Sequence, residues 1–259
     1  VALALGRSKD EIRLRDVDVT VLLQPEHADQ DRRHLEATST SLFFYGLWFG
    51  GYPYEHITCV DPAWGGGAAG GMEYPTLFTA GTRMNTFERM QSPESVTVHE
   101  CGHQFWYGLV GNNEFESAWL DEGFNTFTQG EAIAKRYGGS ARTTEYAGLF
   151  FDGTATAREP GGGVIGDLLA AKRIPLGKWT LEPLPASGVL DFWRSQPLLA
   201  FSRGTNDSRW NDRNGYLADP DTDPVDTFGW KYADAQSYRQ NSYRRTGVNL
   251  RSLMGMVGR

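Results

Sequence analysis

The residues of this sequence best suited to chemistry form the pentapeptide His99-Glu100-Cys101-Gly102-His103. Two histidines four positions apart in a helix project from the same face, one turn apart. Two neutral imidazoles at that spacing can bind zinc, and the glutamate after the first histidine can act on a water molecule at the metal. The cysteine points away from that face, so we expect a small buried apolar side chain. The alternative interpretation is a pair of surface histidines.

A candidate third metal ligand, Glu122, follows His103 after eighteen intervening residues, in the stretch Trp119-Leu120-Asp121-Glu122-Gly123-Phe124. A hydrolytic zinc site takes three protein ligands and leaves a fourth position open. Glu122 falls in the first turn of the next predicted helix, so two packed helices would bring it to the histidines. An acid at the positive end of a helix is the alternative for Glu122 and the main interpretation of Asp121. The prediction is one zinc ion per chain, bound by His99, His103 and Glu122.

These two segments resemble the zinc signature of the gluzincin metallopeptidases, in the aminopeptidase N family. Upstream, Gly70-Gly71-Met72-Glu73-Tyr74-Pro75 resembles the exopeptidase motif of that family, which reads Gly-Ala-Met-Glu-Asn. Downstream, Ser242-Tyr243-Arg244-Arg245-Thr246-Gly247 resembles its Tyr-x-Lys-Gly segment. The three motifs occur in the order of the family. The resemblance extends well over residues 55–137 and moderately over residues 238–258.

The resemblance implies an α+β fold with a thermolysin-like zinc peptidase catalytic domain. In such a domain a small sheet, with an edge strand over the cleft, accompanies the zinc-binding helices. Glu100 would be the general base, and Tyr243 would donate a hydrogen bond to the oxyanion. Glu73, with Gly71 and Met72, would bind the substrate, and its carboxylate would pair with the free α-ammonium group.

The chain departs from the family pattern at three places. Tyr74 replaces the usual asparagine of the exopeptidase motif. Gln129 stands seven residues after Glu122, where the family often has a glutamate that orients a zinc ligand, so the basicity of that ligand differs. The stretch between Glu122 and Tyr243 is longer than usual, which leaves Tyr238 as the alternative oxyanion donor.

Local patterns predict the elements that must position these residues. Alternating apolar residues and the short run Ile57–Val60 indicate strands, and capping residues with apolar periodicity indicate helices. The predicted strands cover residues 17–23, 57–60 and 72–78. The predicted helices cover residues 31–49, 92 to about 107, 117–137 and about 243–257.

The predicted domain organisation has two parts. Residues 1–24 form the end of a preceding β-region or a lead-in strand, and residues 25–259 form the catalytic domain. Within the latter, residues 150–235 form an insertion without sustained periodicity, rich in proline and tryptophan. We expect an ordered, irregular insertion, with a flexible linker as the alternative. The resemblance further implies flanking domains of a longer parent chain.

The amino-acid composition limits the kinds of partner that the chain is expected to bind. The chain carries 25 basic and 32 acidic residues, a net charge of −7, so we expect no binding to nucleic acid. Its longest apolar run, Leu42 to Phe49, is too short to span a bilayer, which takes about 20 residues. Two cysteines exclude a disulfide framework and do not indicate a compartment.

The leading functional hypothesis is a zinc-dependent aminopeptidase that acts on peptide substrates. An endopeptidase with the same zinc chemistry is the first alternative, if Glu73 does not bind an amine. A non-catalytic zinc-binding scaffold, with the insertion as an interaction surface, is the second. The intact Glu100 speaks against the scaffold, which has no need of a base.

Overall fold

A computed structural model of the chain describes residues 14–63, 66, 69–81, 91–138 and 208–258, with the backbone of short strands between residues 143 and 205. The chain divides into two compact units. The first comprises Val1–Thr82, Ser92–Gly139 and Asp207–Arg259, and it contains every candidate site residue. The second comprises Arg83–Gln91 and Ser140–Asn206. The predicted boundary at residue 24 stays a prediction.

A four-stranded sheet forms one part of the first unit. Its strands are β1 (Asp18–Leu22), β2 (His56–Val60), β3 (Gly71–Tyr74) and β4 (Leu77–Ala80). Their order is β1-β2-β4-β3, in which β1 and β4 run parallel to β2, and β3 runs antiparallel to β4. The strands predicted at residues 17–23 and 57–60 are confirmed. β3 therefore lies at the edge of this sheet.

The single strand predicted over residues 72–78 is wrong, because this segment forms the β3–β4 hairpin. Pro75 and Thr76 make its two-residue turn, and Thr76 has a φ of 59°. A positive φ is uncommon for a β-branched residue, so nothing in the local sequence marks the turn except the proline. The reversal places Glu73 on the edge strand rather than inside the sheet.

Among the described residues before position 139, the first unit has four α-helices, and a 3-10 helix (Pro25–Gln30) leads into the first of them. They are α1 (Asp31–Phe49), α2 (Ser92–Gly102), α3 (Glu114–Ser117) and α4 (Glu122–Ile133), which continues as a π-helical turn to Gly138. The prediction of α1 is confirmed, and the chain leaves this helix at Gly50 with a φ of 119°. α2 packs against both α1 and α4.

Two of the predicted helix boundaries are wrong. α2 ends at Gly102 rather than near Tyr107, because the chain tightens into i−3 hydrogen bonds and Tyr107 takes a φ of 88°. The next long helix begins at Glu122 rather than Ser117. The Asp121 carboxylate accepts from the Glu122 backbone N–H at 2.8 Å and caps it.

The C-terminal residues form a longer helix than predicted. α6 (Ala235–Arg239) continues through a π-helical segment, Gln240–Arg245, into α7 (Thr246–Val257). The predicted start at Tyr243 is wrong, since Asp234 is the cap and accepts from the Ser237 N–H at 2.7 Å. Tyr243 thus lies within a π-helical segment, a feature that often occurs at functional sites.

The predicted irregular insertion falls partly on described residues, where residues 208–218 form a helix instead and most of residues 219–234 are irregular. Helix α5 (Ser208–Ala218) belongs to the first unit. Ion pairs link this polar helix to its neighbours, from Arg209 to Glu131 and from Arg251 to Asp212. Most of residues 150–207 lies outside the described residues. The strands described there and just before are β5 (Thr143–Tyr146), β6 (Leu149–Asp152), β7 (Ile174–Leu176), β8 (Trp179–Leu181) and β9 (Arg203–Thr205).

The core of the first unit lies between the sheet and the helices. Its fully buried members include Tyr45, Ile57, Phe78, Val98 and Cys101, which agrees with the buried apolar role expected of this cysteine. Among the helices of the described residues, none is long and apolar enough to cross a membrane. The observed fold is a mixed α/β arrangement with a small sheet and packed helices.

Candidate active site

The two histidines of α2 project from the same face, as their spacing predicts. His99 Nε2 and His103 Nε2 lie 3.3 Å apart, and the two ring planes are perpendicular. His103 is almost completely buried, at 2% exposure. This arrangement differs from that of two surface histidines, because solvated imidazoles form hydrogen bonds to water and adopt independent orientations.

Glu122 reaches both histidines from the first turn of α4. Its Oε2 atom lies 3.1 Å from His99 Nε2 and 3.4 Å from His103 Nε2. The neighbouring Gly123 lets α4 approach α7 closely, since a Cβ there would lie 2.2 Å from Thr246 Cγ2. The structure thus brings together the three residues predicted as metal ligands, while their role as ligands stays a prediction.

The spacing of the three donor atoms is suited to a tetrahedral metal ion. Zinc with ligands at about 2.0–2.1 Å separates neighbouring ligand atoms by about 3.3 Å. The three distances between His99 Nε2, His103 Nε2 and Glu122 Oε2 are 3.1, 3.3 and 3.4 Å. Two imidazoles and one carboxylate are also the donor set of hydrolytic zinc sites. The residues present therefore fit zinc.

The other nitrogen of each imidazole faces an oxygen atom. His99 Nδ1 lies 3.1 Å from Gln129 Oε1, and His103 Nδ1 lies 3.3 Å from the carbonyl oxygen of Trp106. A hydrogen bond to either oxygen requires a proton on Nδ1, so Nε2 is the nitrogen of each ring that faces Glu122. Each ring is thus oriented so that Nε2 could bind a metal ion in exchange for the proton that it shares with Glu122.

Gln129, the departure from the family pattern, has its amide orientation fixed by Ser95. Gln129 Nε2 lies 2.8 Å from both the carbonyl oxygen and the hydroxyl of Ser95. A carbonyl oxygen accepts only, so the NH₂ group must face it and the amide oxygen must face His99. A neutral acceptor makes His99 a less basic ligand than a carboxylate would.

The main chain at His99 is anchored by a residue that sequence reasoning missed. Asn125 Nδ2 donates to the His99 carbonyl at 2.7 Å, and Tyr45 donates to Asn125 Oδ1 at 2.8 Å. Gly102 makes room for this chain of bonds, since a Cβ there would lie 2.0 Å from Asn125 Oδ1. The bonds lock α1, α2 and α4 together beside the two histidines.

Glu100, the candidate base, lies against the edge strand. A Cβ at Gly71 would lie 2.7 Å from Glu100 Oε1, so the glycine permits β3 to pass this close. One ligand-type atom each of Glu73, Glu100 and His103 lie within 4.8 Å of one another. Burial raises the pKa of Glu100 to about 6, against the opposing effect of the two imidazoles. Such a carboxyl group is suited to accepting and returning a proton near neutral pH.

Glu73 is half-buried on β3 and faces two further carboxyl groups. Glu114 and Asp121 place carboxylate oxygens within 4.8 Å of the Glu73 carboxylate and of each other. Burial and the charge of Glu122 raise the pKa of Asp121 to about 7. Sequence reasoning missed Glu114, whose only signal was its place as an acid shortly after the zinc signature. Met72, the other substrate-binding candidate on β3, is exposed.

Tyr243 reaches the site from the π-helical segment. Its hydroxyl donates a hydrogen bond to Glu122 Oε1, and its ring stacks on His99 with the centroids 5.9 Å apart. Burial and the negative charge of Glu122 raise the pKa of Tyr243 well above its usual value, so the hydroxyl stays protonated. Tyr238 contacts the far side of Tyr243, with its ring centroid 6.3 Å away.

The electrostatics of the site favour a cation beside Glu122. Burial lowers the pKa of His103, but the Glu122 carboxylate outweighs burial and raises this pKa to about 10. Burial would raise the pKa of Glu122, but hydrogen bonds from His103 and His99 hold it well below its usual range. The carboxylate therefore stays charged and available to a metal ion.

Comparison with known proteins agrees with this geometry. Residues 33–156 match the profile of the Peptidase family M1 domain. This matched stretch, which is slightly less than half of the chain, is thus similar to the M1 peptidase domain. The matched part of the M1 domain contains Glu73, Glu100 and the three candidate ligands, and it does not include Tyr243.

A curated relative also matches. The chain is 25% identical over 170 residues to "Probable aminopeptidase 2" of Sulfurisphaera tokodaii, and the match covers 61% of this chain. It spans 22% of the length of that relative. The chain thus spans about a fifth of the length of this relative, and the similarity to M1 peptidases concerns the stretch that carries the candidate site.

Proposed function

We propose that this chain is a zinc-dependent aminopeptidase that hydrolyses the N-terminal residue from peptides. The observation that carries the proposal is the convergence of His99, His103 and Glu122, with the carboxylates of Glu100 and Glu73 beside them. The M1 family match and the name of the relative support the same activity. A thermolysin-like arrangement of the catalytic domain, and flanking domains in a longer parent chain, are part of the proposal.

His99, His103 and Glu122 would hold one zinc ion. When bound, zinc would polarise the scissile carbonyl group and lower the pKa of water at the open position towards 7. Gln129 and the Trp106 carbonyl hold the two imidazoles by Nδ1 and orient Nε2 towards the candidate metal position. The contribution of the protein is thus a rigid, correctly oriented donor set.

Glu100 would move the proton. Its carboxylate would accept a proton from the attacking water and deliver it to the leaving amine, which keeps the number of protons balanced over the reaction. The close passage of Gly71 leaves Glu100 little freedom to turn away from this position. Its raised pKa makes it a stronger base towards the attacking water than an exposed glutamate would be.

Glu73 would bind the α-ammonium group of the substrate, and Tyr243 would assist the oxyanion. A peptide with a free N-terminus brings a positive charge to the carboxylate of Glu73, whereas an internal amide brings none. The neutral hydroxyl of Tyr243 is a hydrogen-bond donor beside Glu122, close to where the carbonyl oxygen would bear negative charge. Tyr238 remains the alternative donor.

Hydrolysis of paired reporter substrates tests this proposal. The zinc-loaded chain is assayed on aminoacyl reporters with a free amine and on the same reporters with a blocked amine. We expect turnover of the free reporters with a preference of at least about tenfold, the lower end for one buried charge pair. Equal turnover of internal or blocked substrates would indicate the endopeptidase. Zinc binding without any turnover would indicate the non-catalytic scaffold.

A further inference from the structure

Gln104, the residue directly after His103, bonds to the turn of the β3–β4 hairpin with both ends of its amide. Its Oε1 accepts from the Thr76 backbone N–H at 2.9 Å, and its Nε2 donates to the Tyr74 carbonyl at 2.8 Å. An N–H only donates and a carbonyl only accepts, so one amide orientation satisfies both bonds. Gln104 is 4% exposed, so water cannot readily replace these bonds.

The turn that Gln104 holds has an unfavourable backbone conformation. Thr76 has a φ of 59°, in the left-handed region that disfavours β-branched residues. The Thr76 carbonyl accepts from the Thr58 N–H of β2 at 2.9 Å. The turn is therefore fixed to the sheet on one side and, through Gln104, to the end of the histidine-bearing segment on the other.

The edge strand β3 contacts the segment from Glu100 to Gln104 at two points. At its beginning the Gly71 backbone lies against the Glu100 carboxylate, and at its end the Tyr74 carbonyl bonds to Gln104. Glu73 lies between these two points. The bond from Gln104 to Tyr74 therefore helps to fix the position of the Glu73 carboxylate. This position matters because a displacement of about 1 Å is enough to impair a catalytic site.

We propose that Gln104 is a positioning residue that sets the distance between the Glu73 carboxylate and the metal-binding histidines. It acts through the turn rather than on the substrate. The inference rests on the proposed function, because it requires Glu73 to bind the N-terminal ammonium group. Gln104 would thus influence the selectivity for substrates with a free N-terminus and not the hydrolysis of the peptide bond itself.

The test compares Gln104→Met, which removes both bonds at similar volume, with Gln24→Met. Gln24 is a matched control because its Nε2 also donates to a loop carbonyl, that of Asp61 at 3.2 Å, away from the hairpin turn. For Gln104→Met we expect KM on a free aminoacyl reporter to rise about tenfold, with kcat within about threefold of the wild type. Zinc content and turnover of the blocked reporter stay unchanged, and Gln24→Met behaves as the wild type.

Two further measurements separate positioning from general loss of structure. Hydrogen exchange of residues 71–80 should accelerate in Gln104→Met and not in Gln24→Met, whether or not substrate is present. Adding Thr76→Gly to Gln104→Met should lower KM part of the way back to the wild-type value, because glycine takes a positive φ without steric cost.

The outcomes distinguish this inference from the proposed function. A wild-type chain that hydrolyses neither reporter overturns the proposed function and the inference with it. An active wild type with an unchanged KM in Gln104→Met overturns the inference alone. So does a Gln104→Met variant that loses free and blocked substrates equally, or one that shows unchanged exchange in the hairpin.

Discussion

Replacing Gln129 with methionine tests how the hydrogen bond to His99 Nδ1 affects the affinity of the site for a metal ion. The variant keeps the volume of the side chain and removes the acceptor 3.1 Å from His99 Nδ1. The imidazole then loses the bond that holds its proton on Nδ1 and keeps Nε2 turned towards Glu122. We expect zinc to bind more weakly while the three ligands themselves remain in place.

The magnitude follows from one neutral hydrogen bond and the orientation that it maintains. Such a bond contributes about 0.5–1.5 kcal/mol net. If the imidazole then exchanges freely between its two tautomers, about half of the molecules have the wrong one, which weakens zinc binding by at most about a further factor of two. Together these amount to about fivefold to twenty-five-fold in the dissociation constant for zinc. Loss of a hydrogen bond to a metal ligand typically costs about 10–100-fold in metal affinity, a range that overlaps this value.

The assay is competition for zinc between the chain and a chromophoric chelator, at fixed pH and with thermal unfolding measured alongside. Ser95→Ala is the matched control. It removes one of the two contacts of the Gln129 amide and leaves the backbone carbonyl bond at 2.8 Å. We expect its affinity to stay within about threefold of the wild type. A folded Gln129→Met variant with wild-type affinity would refute the argument that Gln129 controls His99.

Gln129→Glu extends this prediction to the usual residue of the family. A carboxylate would raise the basicity of His99, but its second oxygen would face the Ser95 carbonyl oxygen, to which the amide now donates. Two acceptors at that distance repel each other, since neither carries a proton. We therefore expect Gln129→Glu to melt at a lower temperature than the wild type, and an equal or higher melting temperature would contradict this account of Ser95.

The remaining predictions concern the reaction. Glu100→Gln should keep zinc and lose nearly all turnover, because the base is removed and the ligands remain; retention of more than about a tenth of kcat would exclude Glu100 as the base. Glu73→Ala should lose at least about tenfold more kcat/KM on free than on blocked substrates, and equal losses would assign Glu73 to the fold. Tyr243→Phe should lower kcat about a hundredfold or more with KM little changed, and Tyr238→Phe should do far less. The reverse ranking in steady-state kinetics would move the role to Tyr238.

Local spacing was enough to predict the centre of the site. His99 and His103 share a face because four residues make about one helical turn, and this holds wherever α2 packs. Glu122 follows after a short connection, and the capping residue Asp121 orients the start of its helix. The strand at residues 18–22 and the helix at 31–49 were likewise predictable, since their patterns are continuous and their ends are marked.

Contacts between distant residues and backbone atoms could not be predicted. Gln104 and Asn125 bond to carbonyl or N–H groups 26 to 30 positions away, and a backbone group leaves no signal in the side-chain pattern. The turn at Thr76 adopts a conformation that its residue type disfavours. Helix α5 is linked to its neighbours by ion pairs between residues that are 39 and 78 positions apart, which local sequence patterns do not show.

Tyr243 combines both situations. The motif predicted its presence at the site, and its hydroxyl does bond to Glu122. Its position within the helix was predicted wrongly. Tyr243 was predicted to be the first residue, but the helix begins at Ala235 and Tyr243 lies in its π-helical segment. A π-helical turn depends on the packing around it, here of Gly123 against Thr246 and the Ser242 carbonyl, and not on local propensity.

Metal analysis of the purified, unchelated chain tests the central claim most directly. The account predicts one zinc ion per chain in the wild type and none in the variant that combines His99→Ala with His103→Ala. Both proteins are analysed by elemental mass spectrometry after the same dialysis, with unfolding curves to show that each is folded. A wild type without stoichiometric zinc, or a folded double variant that retains it, would contradict the account.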